Sequence, residues 1–252
     1  MSERLKSLRE SVNHLGDVAS QIDPSDYTAS AYPSEWTVAD TFSHLGSGAV
    51  IGARGVEDFV AGRERDPGFN QSVWDLWNAK TPDAQVVDAL VSDVKYLEAL
   101  EGMTEEQRSG YQMALGPFSF DFDGVVGLRL GEHVLHTWDI EVTFRSEATL
   151  PAEASGLILD RINFLVGRTA RLRQDERRIT IRTVNPSRSF TLHLAADSAE
   201  LVEEPHDGAV DLEIPAEAFV RLVYGRLDEA HTPDSLLDNA VVEYLRGVFQ
   251  GF

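Results

Sequence analysis

Apolar residues recur at spacings of three and four through most of the first 148 positions, the signature of helices with one buried face. Leu5, Leu8, Val12 and Leu15 form such a stripe and predict a helix over residues 1–20. Asp23-Pro24-Ser25-Asp26 and Tyr32-Pro33-Ser34 then interrupt the pattern with turn chemistry. Thr37, with Asp40 three residues on, has the spacing of a capping box and predicts a second helix start. Val38, Phe42, Leu45 and Ala49 give that helix an apolar stripe running toward Val60, with Gly46, Gly48 and Gly52 as weak points. Residues 70–101 read as helical, with Val86, Leu90, Val94, Leu97 and Leu100 in phase, Thr81 as a cap and Pro82 in the first turn. Gly116-Pro117 marks a break, and a strongly apolar helix follows from Phe122 to Phe144. Long helices joined by loops predict a bundle for residues 1–148.

The period changes after Thr149-Leu150-Pro151. One more helix is predicted over 153–172, carrying Leu157, Ile158, Ile162, Phe164 and Leu165. Residues 178–183, 189–194 and 210–214 then alternate polar and apolar, which predicts three half-buried strands, the first two joined by the turn Asn185-Pro186-Ser187. Helices are expected from Pro215 to about Arg226 and from about Leu236 to Phe249. The chain therefore reads as two domains, an all-α bundle over 1–148 and a small α+β domain over 149–252.

Composition narrows the function. The 252 residues carry a formal net charge of −20. Nucleic acids and anionic membrane surfaces need a cationic face, so neither is an expected partner. No apolar run reaches the roughly 20 residues of a membrane span. The charged start MSERLKSLRE is not a secretory signal, so the expected compartment is the cytoplasm. There is no cysteine, which removes disulfides, thiolate zinc sites and a catalytic cysteine together. Any thiol chemistry must draw its sulfur from a cosubstrate. Nothing in the pattern fixes an oligomeric state.

Glu132 and His136 are four residues apart on the predicted 122–144 helix, so they project side by side, sharing a face with Leu135 and Asp139. A carboxylate and an imidazole on an otherwise apolar stripe need a partner, and a divalent cation is one. The spacing alone discriminates little: with seven His and 42 acidic residues, about one such pair arises by chance. His44 on the second helix is the third candidate. Three protein ligands with an open position is the arrangement of a catalytic metal, and His and carboxylate donors suit Zn, Fe, Ni or Mn.

Four segments carry a family resemblance. Ser34-Glu35-Trp36-Thr37-Val38-Ala39-Asp40-Thr41-Phe42-Ser43-His44-Leu45 resembles the start of the DinB-like metal-binding bundles. Arg129-Leu130-Gly131-Glu132-His133-Val134-Leu135-His136-Thr137-Trp138-Asp139 resembles the Arg…Glu…His-Thr-Trp-Asp segment of mycothiol-dependent maleylpyruvate isomerases. Near the C-terminus, Leu222-Val223-Tyr224-Gly225-Arg226 is similar to that family's Gly-Arg helix, and Val248-Phe249-Gln250-Gly251-Phe252 to its end, with Gln250 where the family has Pro. The resemblance implies a DinB-like four-helix bundle followed by a sterol-carrier-like α+β domain. It implies zinc, or another divalent metal, on His44, Glu132 and His136, and mycothiol as cosubstrate. It also implies that Arg226 clamps a substrate carboxylate. Asp139, one turn beyond His136, either orients a ligand or holds water, or it caps or pairs at the surface. His133 points off the ligand face, and Trp36, Trp74, Trp77 and Trp138 read as core or boundary aromatics.

A free thiol ionises near pH ~8.5, whereas a bound divalent cation deprotonates it at neutrality. Thiolate addition to an activated C=C bond, rotation and loss of the thiolate convert cis to trans. Two alternatives stay open: an S-transferase using the same site on an electrophile, and a non-enzymatic ligand-binding or regulatory protein on the same fold.

Overall fold

The computed structural model describes residues 2–172 and 176–251. The chain divides into two compact units, Met1–Arg145 and Ser146–Phe252.

The first unit is helical. Four long helices build it: α1 (Glu3–Ala19), α2 (Val38–Val60), α4 (Pro82–Gly102) and α6 (Phe122–Phe144), with the short α3 (Phe69–Asn78) and α5 (Glu105–Gly110) between them. Local chemistry sets where they start. Ser2, Thr81 and Asp121 each accept a backbone N–H in the first turn of α1, α4 and α6. At α2 the capping box closes both ways: Asp40 N donates to Thr37 Oγ1 at 3.1 Å, and Thr37 N donates to Asp40 Oδ2 at 2.9 Å. Such a cap stabilises a helix start by roughly 1 kcal/mol. The core between α1, α2 and α4 gathers Leu15, Val38, Phe42, Leu45, Trp77, Val86 and Ala89.

Three expectations are corrected here. The glycines of α2 do not weaken it: the helix runs unbroken to Val60. A Cβ on Gly46 would lie 2.2 Å from the Trp77 ring, and one on Gly52 would lie 2.4 Å from the Tyr96 ring, so these glycines let α3 and α4 approach. Residues 70–101 form two helices, because the turn at Ala79–Thr81 ends α3 before Pro82 starts α4. The buried stripe of α4 is also rotated: Gln85, Val86, Ala89, Asp93, Tyr96, Leu97 and Leu100 face inward, while Val94 is 45% exposed. A hairpin, β1 (Gln112–Leu115) with β2 (Phe118–Asp121), fills the break at Gly116-Pro117, where Gly116 takes a positive φ.

The second unit is α+β. Its sheet has the order β5-β4-β3-β6, from β3 (Arg177–Val184), β4 (Arg188–Leu194), β5 (Ala199–Glu203) and β6 (Leu212–Pro215). Neighbours are antiparallel except β3 and β6, which run parallel. Register pairs Ile181 with Phe190 and with Leu212, so one face of the sheet is apolar. The predicted 153–172 helix is two helices, α7 (Ala152–Leu159) and α8 (Ile162–Thr169), broken at Asp160-Arg161. β5 was not expected from the alternation. α9 (Ala216–Val223) buries Phe219, Val220 and Leu222, and α10 (Ala240–Val248) closes the chain. After α9, Gly225 has φ +71°, and a Cβ there would sit 2.2 Å from the main-chain nitrogen of Gly251. No helix among the described residues is long and apolar enough to cross a membrane.

Candidate metal centre

α2 and α6 bring three donors together in the first unit. His44 Nε2 lies 3.2 Å from Glu132 Oε2, and His136 Nε2 lies 3.6 Å from the same oxygen. Ligand atoms of all three residues fall within 4.8 Å of one another. Tetrahedral zinc with bonds of about 2.0–2.1 Å holds its ligands about 3.3 Å apart. The two separations from Glu132 match that spacing, and the group as a whole could hold an ion. Two imidazoles and one carboxylate also match a metal of the Zn, Fe, Ni or Mn type.

The three differ in setting. His136 is 8% exposed, whereas the side chains of His44 and Glu132 are 42% and 46% accessible. The site therefore has a buried floor and an open mouth. Asp139, fully buried, faces His136: its Oδ2 lies 2.8 Å from Nδ1 of that ring. This contact fixes the ring so that Nε2 points at Glu132. Asp139 is therefore buried against a candidate ligand and is not a surface pair.

The electrostatics follow from the packing. Surrounding protein favours the neutral acid at Glu132, but its interactions with His136 and His44 outweigh this and hold its carboxyl well below the usual range. Desolvation alone would lower the His136 pKa, yet Asp139 and Glu132 overcome it and raise the value. Among the described residues, the partners of the Glu132 carboxylate are both imidazoles. No fixed cation balances it there.

The pattern of residues did not place Trp36. It packs against both imidazoles, with ring centroids 5.1 Å from His44 and 5.7 Å from His136. It precedes the capping residue Thr37, and that position in the motif was its only signal. The loop that carries it is tied to α6, because Tyr32 N donates to the Asp139 carbonyl at 3.2 Å and the Tyr32 ring packs on Trp138. Of the other tryptophans, Trp77 and Trp138 are core, but Trp74 is 45% exposed.

His133 turns to the other side of α6 and is fully buried. Its Nδ1 lies 2.8 Å from Ser11 Oγ, and its Nε2 lies 3.4 Å from Asp93 Oδ2, close enough for an ion pair but outside hydrogen-bond geometry. Arg226 belongs to the second unit. It is half-buried, and its guanidinium donates to the Tyr224 carbonyl at 2.9 Å.

Comparison with known proteins agrees with the motif. Residues 8–141 match the family model of the mycothiol maleylpyruvate isomerase N-terminal domain, more than half of the chain. The chain belongs to that family. Its fold is similar to the crystal structures of a mycothiol-dependent maleylpyruvate isomerase and of a histidine-to-alanine mutant of that enzyme. Each superposes with a TM-score of 0.65 at 16% identity, covering 89% of this chain and 89% of the other. No curated protein matches in sequence.

Proposed function

We propose that this protein is a divalent-metal-dependent cis–trans isomerase of the maleylpyruvate isomerase type that uses mycothiol as cosubstrate. The observation that carries the reading is the convergence of His44, Glu132 and His136 into a group that could hold a metal ion, inside the segment that matches the family.

A divalent cation held there, zinc by the resemblance, supplies the positive charge that keeps a small thiol ionised at neutral pH. The chain's own residues do the rest. Glu132 and His136 offer donors from one helix and His44 from another. Asp139 holds the His136 ring in place. Trp36 walls the imidazoles on one side and limits the directions from which a thiol and a substrate approach. Arg226 is assigned to the substrate carboxylate on the resemblance of the Gly-Arg segment, and a guanidinium suits that task through its planar fork. Sulfur adds to the activated C=C bond, the resulting single bond rotates, and the sulfur leaves, so the protein needs no nucleophile of its own. That agrees with a chain without cysteine.

The test is His44→Ala. Its imidazole is 42% accessible and packs into no core, so the fold should stand. Expected are a wild-type circular dichroism spectrum, loss of stoichiometric metal by elemental analysis, and a fall of about a hundredfold or more in mycothiol-dependent isomerisation of maleylpyruvate. Wild-type metal content in the variant would refute the site. Thiol conjugation without isomerisation by the wild-type protein would replace the isomerase by an S-transferase.

A further inference from the structure

Arg129 lies one turn before Glu132 on α6 and reaches across the bundle. Its guanidinium donates at 3.0 Å to the carbonyl of Leu45, the residue that follows His44 on α2. The same group pairs with Asp93 on α4, a carboxylate that is 2% exposed. The Tyr96 ring of α4 lies 5.8 Å from the guanidinium carbon. Space for this arrangement comes from α2: a Cβ on Gly48 would stand 3.2 Å from Arg129 Nη1, and Gly52 makes room for Tyr96. One planar group thus joins the backbone beside one candidate ligand to the helix turn beside another.

We propose that Arg129 is a positioning residue that fixes the separation of His44 from the Glu132–His136 pair, an inference that rests on the metal-centre reading above. The argument is geometric. Glu132 and His136 share a helix, so their spacing is set by helical geometry. His44 comes from a different helix, and its distance from the pair depends on how α2 sits against α6. Packing sets that distance, and a charge-assisted hydrogen bond to a main-chain carbonyl adds a directional restraint on it. A metal site whose ligands are displaced loses affinity. Arg suits the position better than Lys, because a planar fork satisfies two acceptors in fixed directions and a compact ammonium does not.

The experiment is a Co2+ titration of the full-length protein, read by the d–d absorption bands, with Zn2+ displacing the ion at the end. Arg129→Gln combined with Asp93→Asn removes both buried charges together, so no uncompensated ion remains, and shortens the side chain so that it no longer reaches Leu45. Arg129→Lys keeps the charge opposite Asp93. Val12→Ala, a core change on α1, which bears no ligand, reports how far general loosening alone weakens the site. Expected is a loss of Co2+ affinity of about tenfold or more in the double variant, with altered d–d bands, and a smaller loss in Arg129→Lys. Val12→Ala should lose thermal stability and keep both affinity and bands. Wild-type affinity and bands in the double variant, or a loss no greater than in Val12→Ala at equal Tm, overturn the proposal. If the double variant does not fold, Arg129→Lys decides, and wild-type behaviour there overturns it. A wild-type protein that takes up neither Co2+ nor Zn2+ overturns the metal centre itself, a result distinct from failure of the brace.

Discussion

Helix α6 carries two acid–histidine clusters on opposite sides, made of the same residue types and built to different ends. On one side, His133 and Asp93 are sealed in the bundle, and Arg129 balances the carboxylate. On the other, Glu132 faces two imidazoles at a mouth open to solvent, with no Lys or Arg among its partners in the described residues. Burial does not separate the sealed cluster from the candidate metal centre, since Asp139 is as buried as Asp93. The difference lies in who supplies the positive charge. In the sealed cluster the chain supplies it. In the open one the donors converge on a point that an external cation would occupy.

The largest expected effect is on the sealed side. Asp93→Asn leaves Arg129 buried without its counter-ion, and breaking such a pair costs about 3–5 kcal/mol. Thermal unfolding should show a drop of roughly 6 to 20 °C. A drop of only a degree or two would mean that Arg129 is not paid for by Asp93, and the contrast between the two faces would fail.

On the open side, Asp139→Asn should change affinity more than fold. The amide cannot hold the ring as the carboxylate does, so metal affinity should fall about 10- to 100-fold, as measured by competition with a chromophoric chelator. Unchanged affinity would deny Asp139 an orienting role.

The two histidines should also answer pH with opposite signs in metal-free protein. Burial lowers the His133 pKa despite Asp93, so its contribution to stability is present above the unfolded value of about 6.5 and is lost as pH falls. The His136 pKa is raised, so its contribution is present below about 6.5 and is lost as pH rises through the folded value. In thermal unfolding with chelator present, from about pH 5 to about pH 8, His133→Gln should flatten the acid limb and His136→Gln the alkaline limb. Limbs that flatten the other way round would reverse the assignment of the two faces.

The smallest effect is at Gly48. Alanine gains helix propensity of up to about 1 kcal/mol but crowds Arg129 Nη1 at 3.2 Å. Tm should hold or rise slightly while metal affinity falls by about threefold. A rise in both would show that Arg129 can move without consequence for the ligands.

Much of this was legible in the residues because its causes are local. The capping box at Thr37 and Asp40, the cap at Thr81 and the apolar span of α6 all act within one or two turns. The pairing of Glu132 with His136 follows from helical spacing alone. What was not legible depends on contacts distant in sequence. The rotated stripe of α4 follows from Asp93 meeting Arg129, 36 residues on. The glycines of α2 read as weaknesses until Trp77 and Tyr96 are seen filling the space. The break between α7 and α8 at Asp160-Arg161 lacks the usual Gly or Pro signal, and the four-residue strands of the hairpin are too short to show a period. His44 needed a partner helix that periodicity cannot name. The resemblance to a known family supplied it.

The place of Trp36 has a practical consequence. An indole resting on two imidazoles at 5.1 and 5.7 Å sits within a few ångströms of whatever those rings bind. A paramagnetic ion such as Co2+ bound there would quench the indole's fluorescence at such range, giving an optical gauge of occupancy by that ion. Trp36→Phe, leaving Trp74, Trp77 and Trp138 as the remaining emitters, would isolate that signal without attaching a dye.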